Sequence, residues 1–460
     1  MVKPEDVGFV KGFDWGLYPA VEKFLLDETN NFLGHHDIAK SLADRMINGT
    51  STRFFDWIDH MILPEARISD KLLTKLEFQE IESKELPENM RLFRHPKTEF
   101  FPLLITNKAV TEVALKPEEL DHFLQGVGKD IEIDGDCFAP FRKALIKKEG
   151  NYVLAAVERR AYNGYVVKNS NDAVEYIQAL SRFFCRQRVF DDDGEGMKST
   201  ERLVGKTVRK LKKERVSDAF FRSERAYWQR KNRAGQIQKA RQERLGLGWG
   251  NHDHHTYRSS RENFTALIKV FEKMGYLCRE KFYAGEAAKW GAQIMEHPVC
   301  DIVVFADVDL FPEETELDFT HSGLVHREEL GTVGLWVGLH GESMLQAGMH
   351  HLEARFDFER LRADLPNFGI GVMKPFSYFD FLKQAFTAGE RWQVEKSRLD
   401  KLMKDGSITK LQYDEFLSKG AVGSHMENLQ RNQGFKGFNQ RSVTAIIKAT
   451  DPRSYKIDSA

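Results

Sequence analysis

Two histidine-bearing segments in the second half of the chain follow one design, and each is followed by a run of helical period. Gly250-Asn251-His252-Asp253-His254-His255-Thr256-Tyr257-Arg258 precedes residues 261–274, where Phe264, Leu267, Ile268 and Phe271 fall on one helical face. Gly348-Met349-His350-His351-Leu352-Glu353-Ala354-Arg355 precedes a second amphipathic stretch, 358–365. A strand followed by a helix and then by further strands is a unit that must bury one sheet face, which limits the chain to layered folds built by repeating it. The pattern recurs in the first half: a strand near 57–64, a helix at 68–76, strands at 100–105 and 110–115, a helix opening near Pro117 and a strand at 152–160. Residues 1–50 read as helical, and no exact repeat of sequence accompanies the repeat of elements.

In an extended strand, side chains two residues apart share a face. His254 and Arg258 therefore project together, as do His351 and Arg355, with His350 turned the other way. A third candidate strand, Met426-Glu427-Asn428-Leu429-Gln430-Arg431, adds a carboxylate. Two imidazoles and one carboxylate suit iron(II) and leave coordination positions open. Taken singly, each residue has a plainer reading: a His-rich strand end can be merely polar, Glu427 a surface carboxylate, and Arg258 or Arg355 a partner of Glu353 or Asp357. It is the set that points to chemistry.

Composition narrows the rest. The 460 residues suggest two or three domains, and 41% apolar content with 34 Phe provides for sizeable cores. A net charge of −1 gives no general attraction for nucleic acid or membranes, and no apolar run reaches the ~18 residues of a membrane span. No apolar signal core follows the N-terminus, and Cys137, Cys185, Cys278 and Cys300 form no CxxC pair, so a cytoplasmic protein without a disulfide framework is expected. Residues 198–245 carry 16 Lys/Arg against 5 Asp/Glu, a net charge of +11 that leaves −12 on the remainder. Such a segment could bind nucleic acid. A helical connector docked through Phe220, Phe221, Tyr227 and Trp228 is preferred, because the acidic remainder offers it an intramolecular partner.

The strand–helix–strands units and the His254, His351, Glu427 set resemble the metal-dependent dioxygenases of the vicinal oxygen chelate superfamily. Near the C-terminus, Glu427-x-x-Gln430-Arg431, then Gly434-Phe435 and Asn439, then a helix over 441–449, resemble 4-hydroxyphenylpyruvate dioxygenases, although Gln440 stands where that family usually has an aromatic residue. Asp253-His254-His255-Thr256-Tyr257-Arg258 resembles the 2-oxoadipate dioxygenase/decarboxylase family. The resemblance implies an α+β fold of paired βαβββ modules. It divides the chain into a helical segment (1–50), a degenerate module pair (51–168), the basic connector (169–245) and a metal-bearing pair (246–460). It further implies an Fe(II) cofactor on His254, His351 and Glu427, with dioxygen and a 2-oxo acid as reactants. Arg258 would anchor a distal carboxylate, and Gln430, Asn439 and Gln440 would be polar contacts. A metal-dependent lyase or isomerase of the same fold is the first alternative, and a binding protein using 198–245 the second. Neither nucleic acid nor a membrane is an expected partner, and homo-oligomer formation is left open. His60, Glu112 and Glu158 echo a metal set in the first half, which is read as structural.

Overall fold

The computed structural model describes residues 15–128, 130–286, 288–438 and 451–452. Helices α1 (Pro19–Gly34) and α2 (Asp37–Thr50) open the described chain. His36 caps α2 by accepting from the Ala39 N–H at 3.2 Å, the role Ser or Asp usually plays. Leu25 and Phe32 of α1 and Leu42 and Met46 of α2 share a core with Trp57 and Leu63 beneath the first sheet.

That sheet holds two modules. The first runs β1 (Ile58–Pro64), α3 (Asp70–Lys75), β2 (Gln79–Ile81), β3 (Met90–Arg94) and β4 (Leu103–Thr106). β1 pairs with β4 in parallel, which a hairpin cannot achieve and which α3 makes possible by crossing over. The second runs β5 (Thr111–Leu115), α4 (Leu120–Gly126), β6 (Phe141–Glu149) and β7 (Tyr152–Arg159), with β5 parallel to β7. Its remaining strand is reduced to a single bridge between Asp134 and Lys143. Antiparallel pairing of β1 with β5 joins the modules in the order β2-β3-β4-β1-β5-β7-β6.

Four helices follow: α5 (Ala173–Phe184), α6 (Asp193–Thr207), α7 (Lys213–Arg230) and α8 (Arg233–Glu243). Phe220, Phe221 and Trp228 of α7 are buried, and Tyr227 is half-buried. Many of the segment's cations are spent internally: Arg215 on Asp172, Arg222 on Asp218, Arg225 and Lys239 on Glu118, and Arg241 on Asp364. The chain then enters the second half through Gly246, at φ +63°, where a Cβ would fall 1.9 Å from the His122 carbonyl oxygen, so only glycine fits.

The third module is β8 (His252–Arg258), α9 (Phe264–Lys273), β9 (Leu277–Tyr283), β10 (Gly291–Glu296) and β11 (Val303–Val308). Helix α10 (Thr332–His340) precedes the fourth, which runs β12 (His351–Arg355), α11 (Phe358–Asp364), β13 (Ser377–Phe379), β14 (Leu382–Phe386), β15 (Glu390–Trp392), α12 (Lys396–Lys404), α13 (Lys410–Lys419) and β16 (Ala421–Arg431). Helices α12 and α13 form a charged insertion between β15 and β16. The nine strands pair as β13-β14-β16-β12-β8-β11-β10-β9, with β15 also on β16. The order first-fourth-third-second thus appears three times complete and once reduced. The fold is α+β, of paired βαβββ modules. Among the described residues, no helix is long and apolar enough to cross a membrane.

One face of the second sheet supplies Tyr257, Val304, Ala306, Leu352, Ala354 and Met426 to a core shared with α5, α7 and α9. The opposite face carries the site.

Candidate metal centre

The two histidine strands lie side by side at the middle of the second sheet, with β12 antiparallel to β8 and parallel to β16. Their register sets His351 opposite Thr256 and Leu352 opposite His255, then slips by one, so that Ala354 meets His252. The slip is a β-bulge, which lets two consecutive residues oppose one and re-aims their side chains. Asp253 and His254 thereby both face Glu353, while the rings of His252 and His255 meet on the other side at 5.1 Å. Glu353 and Glu427 are direct neighbours across β12 and β16.

The resulting cluster is continuous. His254 donates from Nδ1 to Glu353 at 2.7 Å and from Nε2 to Asp253 at 2.7 Å. Gln384 of β14 donates one amide group to both Glu353 (3.3 Å) and Glu427 (2.9 Å). Glu427 lies 3.1 Å from His351 Nε2, which also meets Thr256 Oγ1 at 2.9 Å. His351 Nδ1 is 2.9 Å from His350 Nδ1. His254, His351 and Glu427 are thus gathered on one face, but in two pairs, His254–Glu353 and His351–Glu427, linked through Gln384. The tightest set of donor atoms is Asp253, His254 and Glu353, all within 4.8 Å of one another and all buried.

The electrostatics show why the set suits a cation. Burial lifts the Glu427 carboxyl well above its usual range, and the charge of Glu353 lifts it further. No Lys or Arg hydrogen-bonds to Glu427 among the described residues. Burial works against a charged His254, yet Asp253 and Glu353 outweigh it and hold the imidazole near pKa 9. His351 lacks such compensation, and burial keeps it neutral. Neutral imidazole beside paired carboxylates is the donor chemistry a divalent metal uses. Ion pairs back the cluster: Asp253 accepts from Arg355 Nε at 2.6 Å, and Arg355 reaches Glu99 of the first half at 2.5 Å. A cleft of about 390 Å³ between the halves ends on Asp253, Arg355 and Arg431.

Arg258 sits farther along β8 on the same face, only 4% exposed. Among the described residues its Nε and Nη1 have no hydrogen-bond partner, and neither does Asp307 Oδ1, although Nε lies 3.9 Å from Asp307 Oδ2. Burial lowers Arg258 to about 10 and raises Asp307 to about 8. The Trp336 ring of α10 stands 5.4 Å from the guanidinium and 5.3 Å from His350. Donors of a buried guanidinium left without acceptors cost more than donors bonded to an anion.

Gln430 is a correction. It alternates to the opposite face from Glu427, and its amide oxygen accepts from the Phe358 N–H at 2.9 Å, at the start of α11. Asn439, Gln440 and the expected helix over 441–449 lie outside the described residues. Arg355 is spent on Asp253 and Glu99 and is therefore no carboxylate anchor. In the first half, His60 pairs with Asp59, Glu112 with Lys143, and Glu158 with Arg142 and Arg160. Sequence reasoning missed Glu353 as a member of the cluster, although its spacing from His351 signals a shared face. Asp253 carries no such signal, because only the bulge brings it round.

No family model and no curated protein matches the chain. Among solved structures, a 4-hydroxymandelate synthase variant from Streptomyces coelicolor is 10% identical, covering 88% of this chain and 99% of that one at a TM-score of 0.28. A methylmalonyl-CoA epimerase from Mycobacterium tuberculosis is 10% identical over 40% of this chain and 89% of that one, at 0.23. A presumed hydrolase from Shewanella frigidimarina is 17% identical over 47% and 92%, at 0.32. Scores this low bear on neither activity nor ligand, and the fold assignment rests on the strand order.

Proposed function

We propose that the protein is a non-haem iron(II) dioxygenase that oxidatively decarboxylates a 2-oxo acid, with the metal on His254, His351 and Glu427. The observation that carries this reading is the gathering of those residues on one buried face that also holds Arg258, whose Nε and Nη1 donors have no hydrogen-bond partner among the described residues. Iron(II) supplies the redox chemistry by which dioxygen oxidises and decarboxylates such an acid. The chain's own residues do the rest. Gln384 fixes Glu427, and Glu353 holds Nδ1 of His254, as carboxylates commonly do for ligand imidazoles; a metal at Nε2 would take the place of the proton that this nitrogen now shares with Asp253. A metal at His351 Nε2 leaves the ring proton on Nδ1, where His350 accepts it. Phe305, Phe386 and Phe438, packed against His254 and His351, exclude water.

Arg258 favours a substrate with a second carboxylate, as in a 2-oxoadipate-like acid, over an aromatic one resembling 4-hydroxyphenylpyruvate. The test is oxygen uptake by protein loaded with iron without air, across a panel of 2-oxo acids. Uptake matched by carbon dioxide release on dicarboxylic members supports the reading, and none on any member sinks it.

One observation favours a second reading. Glu353 offers a further donor beside His254, and a lyase or isomerase of this fold would use such a fourth ligand with a non-redox divalent metal. Turnover without oxygen would select it.

A further inference from the structure

A second cluster of metal-binding side chains lies on the far side of the third module, apart from the cavity face. Glu272 stands near the end of α9, Cys278 near the start of β9, and His321 in the connection from β11 to α10. Their donor atoms lie within 4.8 Å of one another. His321 Nε2 is 2.9 Å from Glu272 Oε1, and His321 Nδ1 is 3.0 Å from Asp318 Oδ2. The three segments belong to different elements, so no local turn accounts for the convergence.

We propose that Cys278, His321 and Glu272 form a second metal site, for zinc or a similar borderline-soft divalent ion. Sulfur, imidazole and carboxylate are the ligand types zinc takes, usually in fours. Here three come from the protein, and the exposure of the site lets water complete the set. Asp318 is the positioning residue. By accepting from Nδ1–H it fixes the tautomer that leaves Nε2 for the metal, as outer carboxylates do in zinc sites. Thiolate is what sets this site apart from the iron site, which has only nitrogen and oxygen donors. Binding displaces the Cys278 thiol proton and the His321 Nε2 proton to solvent and breaks the His321–Glu272 contact, with the metal in its place. The ion would tie the β11–α10 connection to the end of α9.

The test uses Co²⁺ on the full-length protein, because thiolate ligation gives a charge-transfer absorption that nitrogen and oxygen ligands do not. Saturating Co²⁺ should give this band in the parent and in Glu427→Ala. Cys278→Ser should abolish it, and His321→Ala should weaken Co²⁺ affinity at the band by at least tenfold. Zinc should slow alkylation of Cys278 at least tenfold, with a chelator restoring it, while the exposed Cys137 and Cys185 serve as references. No band in the parent, a band surviving Cys278→Ser, equal affinity in His321→Ala, or unprotected alkylation would each overturn the proposal. All three ligands are exposed or half-exposed, so the variants should fold.

Discussion

The two halves of the molecule are built from the same module, yet they treat their buried acids in opposite ways. In the first half each echo of a ligand has a partner: Lys143 for Glu112, Arg142 and Arg160 for Glu158, Asp59 for His60. In the second half Glu427 and Glu353 share one neutral amide, and Arg258 has unsatisfied donors. A buried charge is tolerated when paired and hydrogen-bonded. The first half pairs its buried acids within the protein, whereas the second leaves donors and acceptors that a cation and an anion would satisfy.

The strongest way to break that contrast is Glu427→Ala. Loss of a ligand should cut metal affinity by more than the roughly 10–100-fold expected for an outer hydrogen-bond partner, and turnover should go with it. Metal content measured after dialysis decides the matter, and full occupancy would remove Glu427 from the set. Glu158→Ala should show the reverse profile. Glu158 is fully buried between two guanidiniums, and removing one partner of such a group costs about 3–5 kcal/mol of stability. Denaturant titration should record that loss while the folded protein keeps its metal.

Arg258→Met should leave the metal in place and lower kcat/KM by about ten- to a hundredfold on a dicarboxylic 2-oxo acid, from a charge-assisted bond worth about 1.5–3 kcal/mol. Equal losses on a monocarboxylic substrate would make Arg258 structural. The smallest effect is one of pH. Burial raises Asp307 to about 8 despite the nearby Arg258. Below that pH Asp307 is neutral and Arg258 attracts an anion without competition, so affinity for the diacid should fall as pH rises through 8. In Asp307→Asn that fall should vanish; if it persists, another group is responsible.

The sequence shows the modules because alternation and helical period survive in each unit. It shows His254 with Arg258, and His351 with Arg355, as face-sharing residues because strand parity needs no tertiary information, whereas the register of β8, β12 and β16 that adds Glu427 is seen only in the structure. Parity also explains the failures. Gln430 matched a motif but stands an odd number of residues from Glu427, so it caps α11 instead. Asp253 joins His254 only through a bulge, and bulges depend on the register between two strands far apart in sequence. The partners that quiet the first half, such as Arg142 for Glu158, come from neighbouring strands, and no local pattern announces them. The Cys278, His321 and Glu272 cluster is invisible for the same reason, its members being spread over 50 residues of chain.

One metal joining His254, His351 and Glu427 would draw together the His254–Glu353 and His351–Glu427 pairs. Anomalous diffraction at the iron edge from crystals grown and loaded without air shows whether it does. One strong peak per chain is expected within bonding distance of a nitrogen of His254, a nitrogen of His351 and an oxygen of Glu427. A peak held by Asp253, His254 and Glu353 with His351 uninvolved, or no peak on this face, would overturn the assignment.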